Sequence, residues 1–254
     1  MAGGHAYVLH LDRDSVLHRL PPEVKITAAV AVTLVVVATP RDAFWAFGGY
    51  AVLVAVVAAL GRIPAGWLAR RALVETPFVV LAVALPFVAA GERVTWLGLE
   101  LSVEGLLGGW NILVKGTLGV LVSLVLAATT TSRNLIVGLD RLRCPQILTQ
   151  IAMFMVRYLD VLVGEARRMR VARISRGDDP RFLWQVRGFA AGIGALFLRA
   201  FERGERVYLA MLSRGYTGRM PPAGTGAASA GQWLLAATVP VAAAGVGVTA
   251  VLLS

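Results

Sequence analysis

The sequence predicts an all-α polytopic membrane protein, with about five transmembrane helices plus long amphipathic helices on the cytoplasmic side. Three observations carry this reading. The 254 residues are 57% hydrophobic and 16% charged, whereas globular domains carry about 45–50% apolar and about 25% charged residues. The mean hydropathy is +0.70, and the charges cluster between long apolar segments rather than within them. A short motif also occurs twice: Val171-Ala172-Arg173-Ile174-Ser175-Arg176-Gly177 is echoed by Leu209-Ala210-Met211-Leu212-Ser213-Arg214-Gly215. Each copy closes a basic amphipathic stretch.

A spanning helix needs about 20 mostly apolar residues. Segments 24–39, 43–60, 72–90, 105–128 and 231–253 meet or approach this length. The first carries charge only at Lys25, and the second and last carry none. The third holds Glu75 near one end, with Pro77 and Pro86. The fourth holds Lys115 near its middle, and Pro240 is placed to kink the last. Two weaker segments, 146–163 and 182–198, contain Arg157, Asp160 and Arg187. They either dip into the bilayer or lie along its surface.

The loops assign the sides. Residues 61–71 carry Arg62, Arg70 and Arg71 and no acid, whereas 91–104 carry Glu92, Glu100 and Glu104 against Arg93 alone. Residues 129–230 hold 16 arginines against 7 acids. Lys and Arg favour cytoplasmic loops. The N-terminus, 61–71 and 129–230 therefore read as inside, and 40–42, 91–104 and the C-terminus as outside. The net charge of +10 is this loop bias and not the footprint of a nucleic-acid partner. Residues 1–23 lack the apolar stretch of a cleavable signal peptide. The chain divides into an N-terminal tail with a four-span core (1–128), a cytoplasmic-facing helical region (129–217), and a linker with a closing transmembrane helix (218–254).

Within the middle region, Leu135, Ile136, Leu139 and Leu142 follow helical spacing. Pro145 breaks the chain and starts the next helix. That helix runs through apolar positions to a basic end, Arg167, Arg168, Arg170, Arg173 and Arg176, and stops at Gly177 and Pro180. A second helix reads from about 182 to 214, with Glu202 and Arg206 spaced as an i,i+4 pair. Each glycine suits the left-handed conformation that caps a helix. Each arginine then projects past the last turn, where its planar fork can pair with a carboxylate or with backbone carbonyls. A lone basic helix end is explained by the helix dipole and anionic lipid, but two matched copies favour a paired partner. Arg173 reads as a solvated or headgroup-facing charge. Arg157 and Asp160 read as a mutual i,i+3 pair. Lys115 reads as an intramembrane structural group that snorkels or pairs with Glu75.

Chemistry within the chain is not indicated. The single cysteine, Cys144, excludes an internal disulfide and a Cys-rich metal site. His5, His10 and His18 do not cluster with other ligands, so no metal is assigned. No Walker A pattern occurs. Gly192-Ile193-Gly194 and Gly224-Thr225-Gly226 lack the strand-and-helix setting of a nucleotide site.

At the paired motifs the chain resembles the transmembrane T component of energy-coupling factor (ECF) transporters, the EcfT/CbiQ family. The likeness extends over nearly the whole chain. It includes Ser15-Val16-Leu17-His18-Arg19-Leu20-Pro21-Pro22-Glu23-Val24-Lys25, similar to the family's Ser-x-Leu-His-Arg-Leu-Asp-Pro-Arg-x-Lys, with Pro21 and Glu23 in place of the usual Asp and Arg. Leu139 to Pro145, Val156-Arg157-Tyr158, and Glu205 to Tyr216 continue it. Ser175-Arg176-Gly177 and Ser213-Arg214-Gly215 stand where the family typically has Ala-Arg-Gly.

The resemblance implies a non-enzymatic transporter subunit seated between a substrate-binding membrane subunit and two cytoplasmic ATPases. ATP and Mg would bind on those ATPases, and no cofactor on this chain. Two crossing helices would enter grooves of the ATPases by their arginine ends, in contact with membrane lipid. The cobalt-type CbiQ branch is favoured, for cobalt or nickel uptake. The alternatives are a vitamin-type T component, or a polytopic scaffold or enzyme without transport activity.

Overall fold

The structure is a computed structural model that describes residues 9–90, 93–96, 99–177, 186–218, 220 and 228–253. It forms two compact units. The larger is the membrane core, containing α1 (Val16–Arg19), α2 (Pro22–Ala38), α3 (Phe44–Leu60), α4 (Ala65–Ala72), a 3-10 turn (Leu73–Glu75) and α5 (Thr76–Val88). It continues through β1 (Arg93–Trp96), β2 (Leu99–Ser102), α6 (Val103–Thr129), α7 (Ser132–Arg141) and α10 (Ala230–Leu253). The smaller contains α8 (Gln146–Ser175) and α9 (Val186–Leu212).

Among the described residues, four helical stretches are long and apolar enough to cross a membrane: Ala65–Val88, Val103–Thr129, Gln146–Ser175 and Ala230–Leu252. The helices α2 and α3 have 17 residues each, or about 25 Å of rise, the short end of the spanning range. On α5, Phe78, Val80, Leu81 and Val83 are all more than half exposed. Such an apolar surface, too large for a soluble protein, suits lipid.

Two boundaries differ from the sequence reading. The basic 61–71 loop is helical from Ala65, and the helical path runs to Val88 with only a 3-10 turn at Leu73–Glu75. Pro77 does not break it, because the proline sits in the first turn of α5, where its missing N–H costs no bond. Glu75 therefore lies inside a continuous helical stretch, not at its end. The 91–104 segment carries a short antiparallel ladder, with Arg93 opposite Ser102 and Val94 opposite Leu101. In addition, α7, grouped by sequence with the coupling region, belongs to the core unit.

Three contacts hold the core. Val32 and Val36 of α2 pack with Phe47, Tyr50 and Val54 of α3, Leu118 of α6 and Ala243 and Ala250 of α10. Glycines draw α6 against α5. A methyl group at Gly105 would lie 2.7 Å from the Leu85 carbonyl oxygen, and one at Gly109 would lie 2.5 Å from that of Ala82. This Gly-x-x-x-Gly spacing lets backbones meet without side chains between them. Polar fasteners act at the helix ends. Ser102 caps α6 by accepting from Gly105 N at 3.2 Å. Lys115 Nζ donates to the carbonyls of Val37 and Thr39 at 2.8 and 2.9 Å.

Of the two arrangements expected for Lys115, snorkelling or pairing with Glu75, its bonds do not go to Glu75 but to backbone carbonyls, which gives it a structural role. Because α2 ends at Ala38, its last carbonyls lack helical partners, and the lysine supplies them from α6. Tyr50 and Thr39 hydroxyls bond at 2.8 Å beside this site.

Candidate functional site

Several residues of the N-terminal motif act as fasteners, whereas Val16 is exposed and Arg19 pairs with Asp14 at the surface. Ser15 Oγ and His18 Nδ1 are 2.7 Å apart, and His18 Nε2 is 3.0 Å from the Leu11 carbonyl. Lys25 Nζ donates to the Thr129 carbonyl at 2.8 Å. Glu23, where the family pattern has arginine, is buried in the first turn of α2. It accepts from Arg141 Nη1 of α7 at 3.0 and 3.1 Å and from Ala228 N, just before α10, at 3.1 Å. One carboxylate thus ties together α2, α7 and the start of α10. His10 lies beside His18 with ring centroids 5.9 Å apart. Burial, and then the neighbouring His18, hold its pKa below the ordinary histidine value.

The paired motifs lie on the α8–α9 unit. The two helices run antiparallel, as three contacts along their length establish. Tyr216, just past α9, donates its hydroxyl to Gln150 Oε1 near the start of α8 at 2.9 Å. Glu165 in the second half of α8 meets Arg199 and Arg203 at 2.7 and 3.5 Å. Arg173, near the end of α8, lies 5.9 Å over the Phe189 ring near the start of α9. Arg173 therefore turns toward its partner helix and is half-buried, instead of facing solvent or headgroups. The reason is local: Phe189 offers a ring face to the guanidinium.

At the two helix ends the chemistry repeats. Ser175 Oγ folds back to the Val171 carbonyl, and Ser213 Oγ to that of Ala210, each at 3.0 Å. Gly177 has φ +80° and Gly215 φ +82°, the left-handed region that glycine enters without penalty. Gly215 N donates to Leu212 O and Tyr216 N to Met211 O, each at 3.0 Å. This is the two-bond Schellman closure. Gly177 N donates to Ile174 O in the same way; the following residues, with Pro180 and the expected start of the second helix, lie outside the described residues. Arg176 and Arg214 thus each occupy the last position before a left-handed glycine, and both are exposed.

Since the helices are antiparallel, these ends lie at opposite ends of the pair. Arg176 is level with the first turns of α9, and Arg214 about 25 residues further along, so roughly 35–40 Å separates them at 1.5 Å per residue. Side-chain contacts between the two helices occur at both ends and near the middle of this length.

The pair leaves much apolar surface open. Ile147, Ile151 and Met155 of α8 and Ile193, Phe197, Phe201 and Leu209 of α9 are all more than half exposed. Between the helices, Phe154, Tyr158 and Leu162 face Ala200, Gly204 and Val207 across a cavity of about 320 Å³. Arg157 and Asp160 lie on the exposed face of α8. Glu202 and Arg206 lie 3.9 Å apart at the surface.

Three features are not anticipated from the sequence. Glu165 is the hub of the pair, also meeting Arg168 at 3.5 Å. Its signal was present, since it is the one acid in the run from Val161 to Gly177. The Gly105–Gly109 seam was likewise visible as a small-residue spacing. The Glu23–Arg141 pair, separated by 118 positions, had no local signal.

The long apolar helices and a core fastened by backbone contacts define a multi-pass membrane protein, and the comparisons with known proteins give its class as a transporter subunit. Residues 13–223 match the CbiQ family, described as cobalt transport protein. The chain is 29% identical over 224 residues to the energy-coupling factor transporter transmembrane protein EcfT of Bacillus selenitireducens, covering 81% of each chain. It is 29% identical over 219 residues to EcfT of Acidaminococcus fermentans, again covering 81% of each. It is 30% identical over 160 residues to the cobalt transport protein CbiQ of Rhodobacter capsulatus, covering 63% of this chain and 64% of that one. The chain belongs to the EcfT/CbiQ family of ECF transporter transmembrane components. It is a non-enzymatic part of a complex with other subunits.

Proposed function

We propose that this chain couples two cytoplasmic ATPases to a substrate-binding membrane subunit, with Arg176 and Arg214 as the two ATPase contacts. One observation carries the reading: two chemically matched helix ends, each an exposed arginine before a left-handed glycine, stand at opposite ends of one antiparallel helix pair. Such a pair suits two copies of one partner, or two similar partners, gripping it at both ends. When ATP closes the ATPase pair, the grips approach and the helices are displaced as stiff rods. The exposed apolar faces of α8 and α9 give the substrate subunit a surface to slide on. ATP and Mg act on the partners, and this chain carries no cofactor.

The N-terminus lies in the cytoplasm and the C-terminus outside, following the arginine bias of the loops. The cargo is cobalt, or nickel by the same chemistry, which the CbiQ relative's name supports. A vitamin cargo is the alternative, because EcfT relatives align over more of the chain. The test is copurification of ATPase subunits with wild type, Arg176→Glu, Arg214→Glu and the double variant, together with ATP-dependent uptake of labelled cobalt. The reading expects one ATPase lost per single variant, both in the double, and uptake abolished in all three. Unchanged ATPase binding in the double variant refutes it, and ATPase binding without ATP-dependent uptake by wild type identifies a scaffold.

A further inference from the structure

The core unit holds a cavity of about 360 Å³ among α1, α2, α3, α6 and α10 that the coupling role does not use. Its walls are almost wholly apolar, with Ala29, Val54, Val125 and Val239 among the residues that shape them. Alanines 28, 29 and 236 leave it hollow where larger side chains would fill it. Leu60 and Leu235 also line it, and both are more than half exposed. The cavity thus opens onto the apolar outer surface of α3 and α10.

One charged group lines this cavity, Lys25. Its ammonium carries three N–H donors and no acceptor, and one of them goes to the Thr129 carbonyl at 2.8 Å. An apolar slot with a cation at one end and an opening on the lipid-facing surface is complementary to an anionic amphiphile. A second helix does not fit, since an α-helix with its side chains is about 10–12 Å across. Water gains little in a site with so few polar partners.

We propose that this cavity binds one acyl chain of an anionic phospholipid, whose phosphate takes the free donors of Lys25. The lipid completes the packing of α2, α3 and α10 and ties the core to an acidic leaflet.

The experiment is native mass spectrometry of the purified full chain, delipidated and then titrated with phosphatidylglycerol or phosphatidylcholine of identical acyl chains. Wild type is expected to retain one lipid, with about a fivefold preference for phosphatidylglycerol, the effect of one lysine near a membrane surface. Ala29→Phe and, separately, Ala236→Leu fill the cavity and are expected to lose that lipid while keeping the wild-type melting temperature. Lys25→Met is expected to retain a lipid without head-group preference. Equal retention by wild type and a folded cavity-filled variant overturns the site. Absence of preference in wild type overturns the role of Lys25. A partner subunit's side chains cross-linked into the cavity, with no lipid retained, overturn the lipid as occupant.

Discussion

Gly109→Ala should destabilise the core, whereas Gly108→Ala, one residue away on the same helix, should not. The new methyl at 109 falls 2.5 Å from the Ala82 carbonyl oxygen, while nothing lies within 4 Å of one at 108. A carbon and a carbonyl oxygen approach to about 3.3 Å, so α5 and α6 must part by about 0.8 Å. The obstacle is backbone, which cannot rotate away. Both substitutions gain the same helix propensity, about 1 kcal/mol, so the difference between them isolates the overlap. Overpacking of this kind costs about 1–3 kcal/mol. At about 2–4 °C per kcal/mol for a chain of this size, Gly109→Ala should melt about 2–12 °C below Gly108→Ala. The assay is thermal unfolding in one detergent, read by the fluorescence of the six tryptophans. Equal melting temperatures would refute the seam.

Breaking the Glu23–Arg141 pair should cost about 1–3 kcal/mol, more with Arg141→Met, which leaves the buried Glu23 carboxylate with the Ala228 N–H, than with Glu23→Gln, which leaves the partly exposed Arg141 within reach of water; the double variant should cost less than the sum, and strict additivity in a double-mutant cycle argues against the pair. His10 is harder to protonate in the folded chain than in the unfolded one, so the unfolded state binds more protons as pH falls. Stability should therefore decline as pH drops below the ordinary histidine value of 6.5 and be insensitive to His10 above it; a His10→Gln chain with the same acid slope in a pH-melting series contradicts this. Glu165→Gln should leave ATPase binding intact but lower uptake per ATP hydrolysed, by loosening α8 from α9. Unchanged coupling in Glu165→Gln would show that the cluster does not stiffen the pair.

The spans and the paired caps were legible in the sequence because both are local. Twenty apolar residues, or an arginine followed by glycine at a helix end, state their structure without reference to the rest of the chain. Helix α4 was hidden because Arg62, Arg70 and Arg71 resemble a loop when charge alone is counted, although Trp67 and Leu68 give it an apolar face toward Val125 and Ala128. The structural role of Lys115 is legible, but its partners are carbonyls, which no side-chain pattern reveals. The antiparallel course of α8 and α9 also could not be read, since it rests on Glu165 meeting arginines 34 and 38 positions away. It is this course that separates the two arginine ends.

The most direct test of the coupling account is site-specific cross-linking in the assembled transporter, in a Cys144→Ser background. Ser175→Cys and Ser213→Cys leave both arginines and both glycines in place and replace hydroxyls that bond only within their own helix. The account predicts that each cysteine cross-links to one ATPase, and that the double variant captures two ATPase copies per chain. Cross-linking of both positions to the same ATPase copy, or of neither in a complex that still transports, would contradict it.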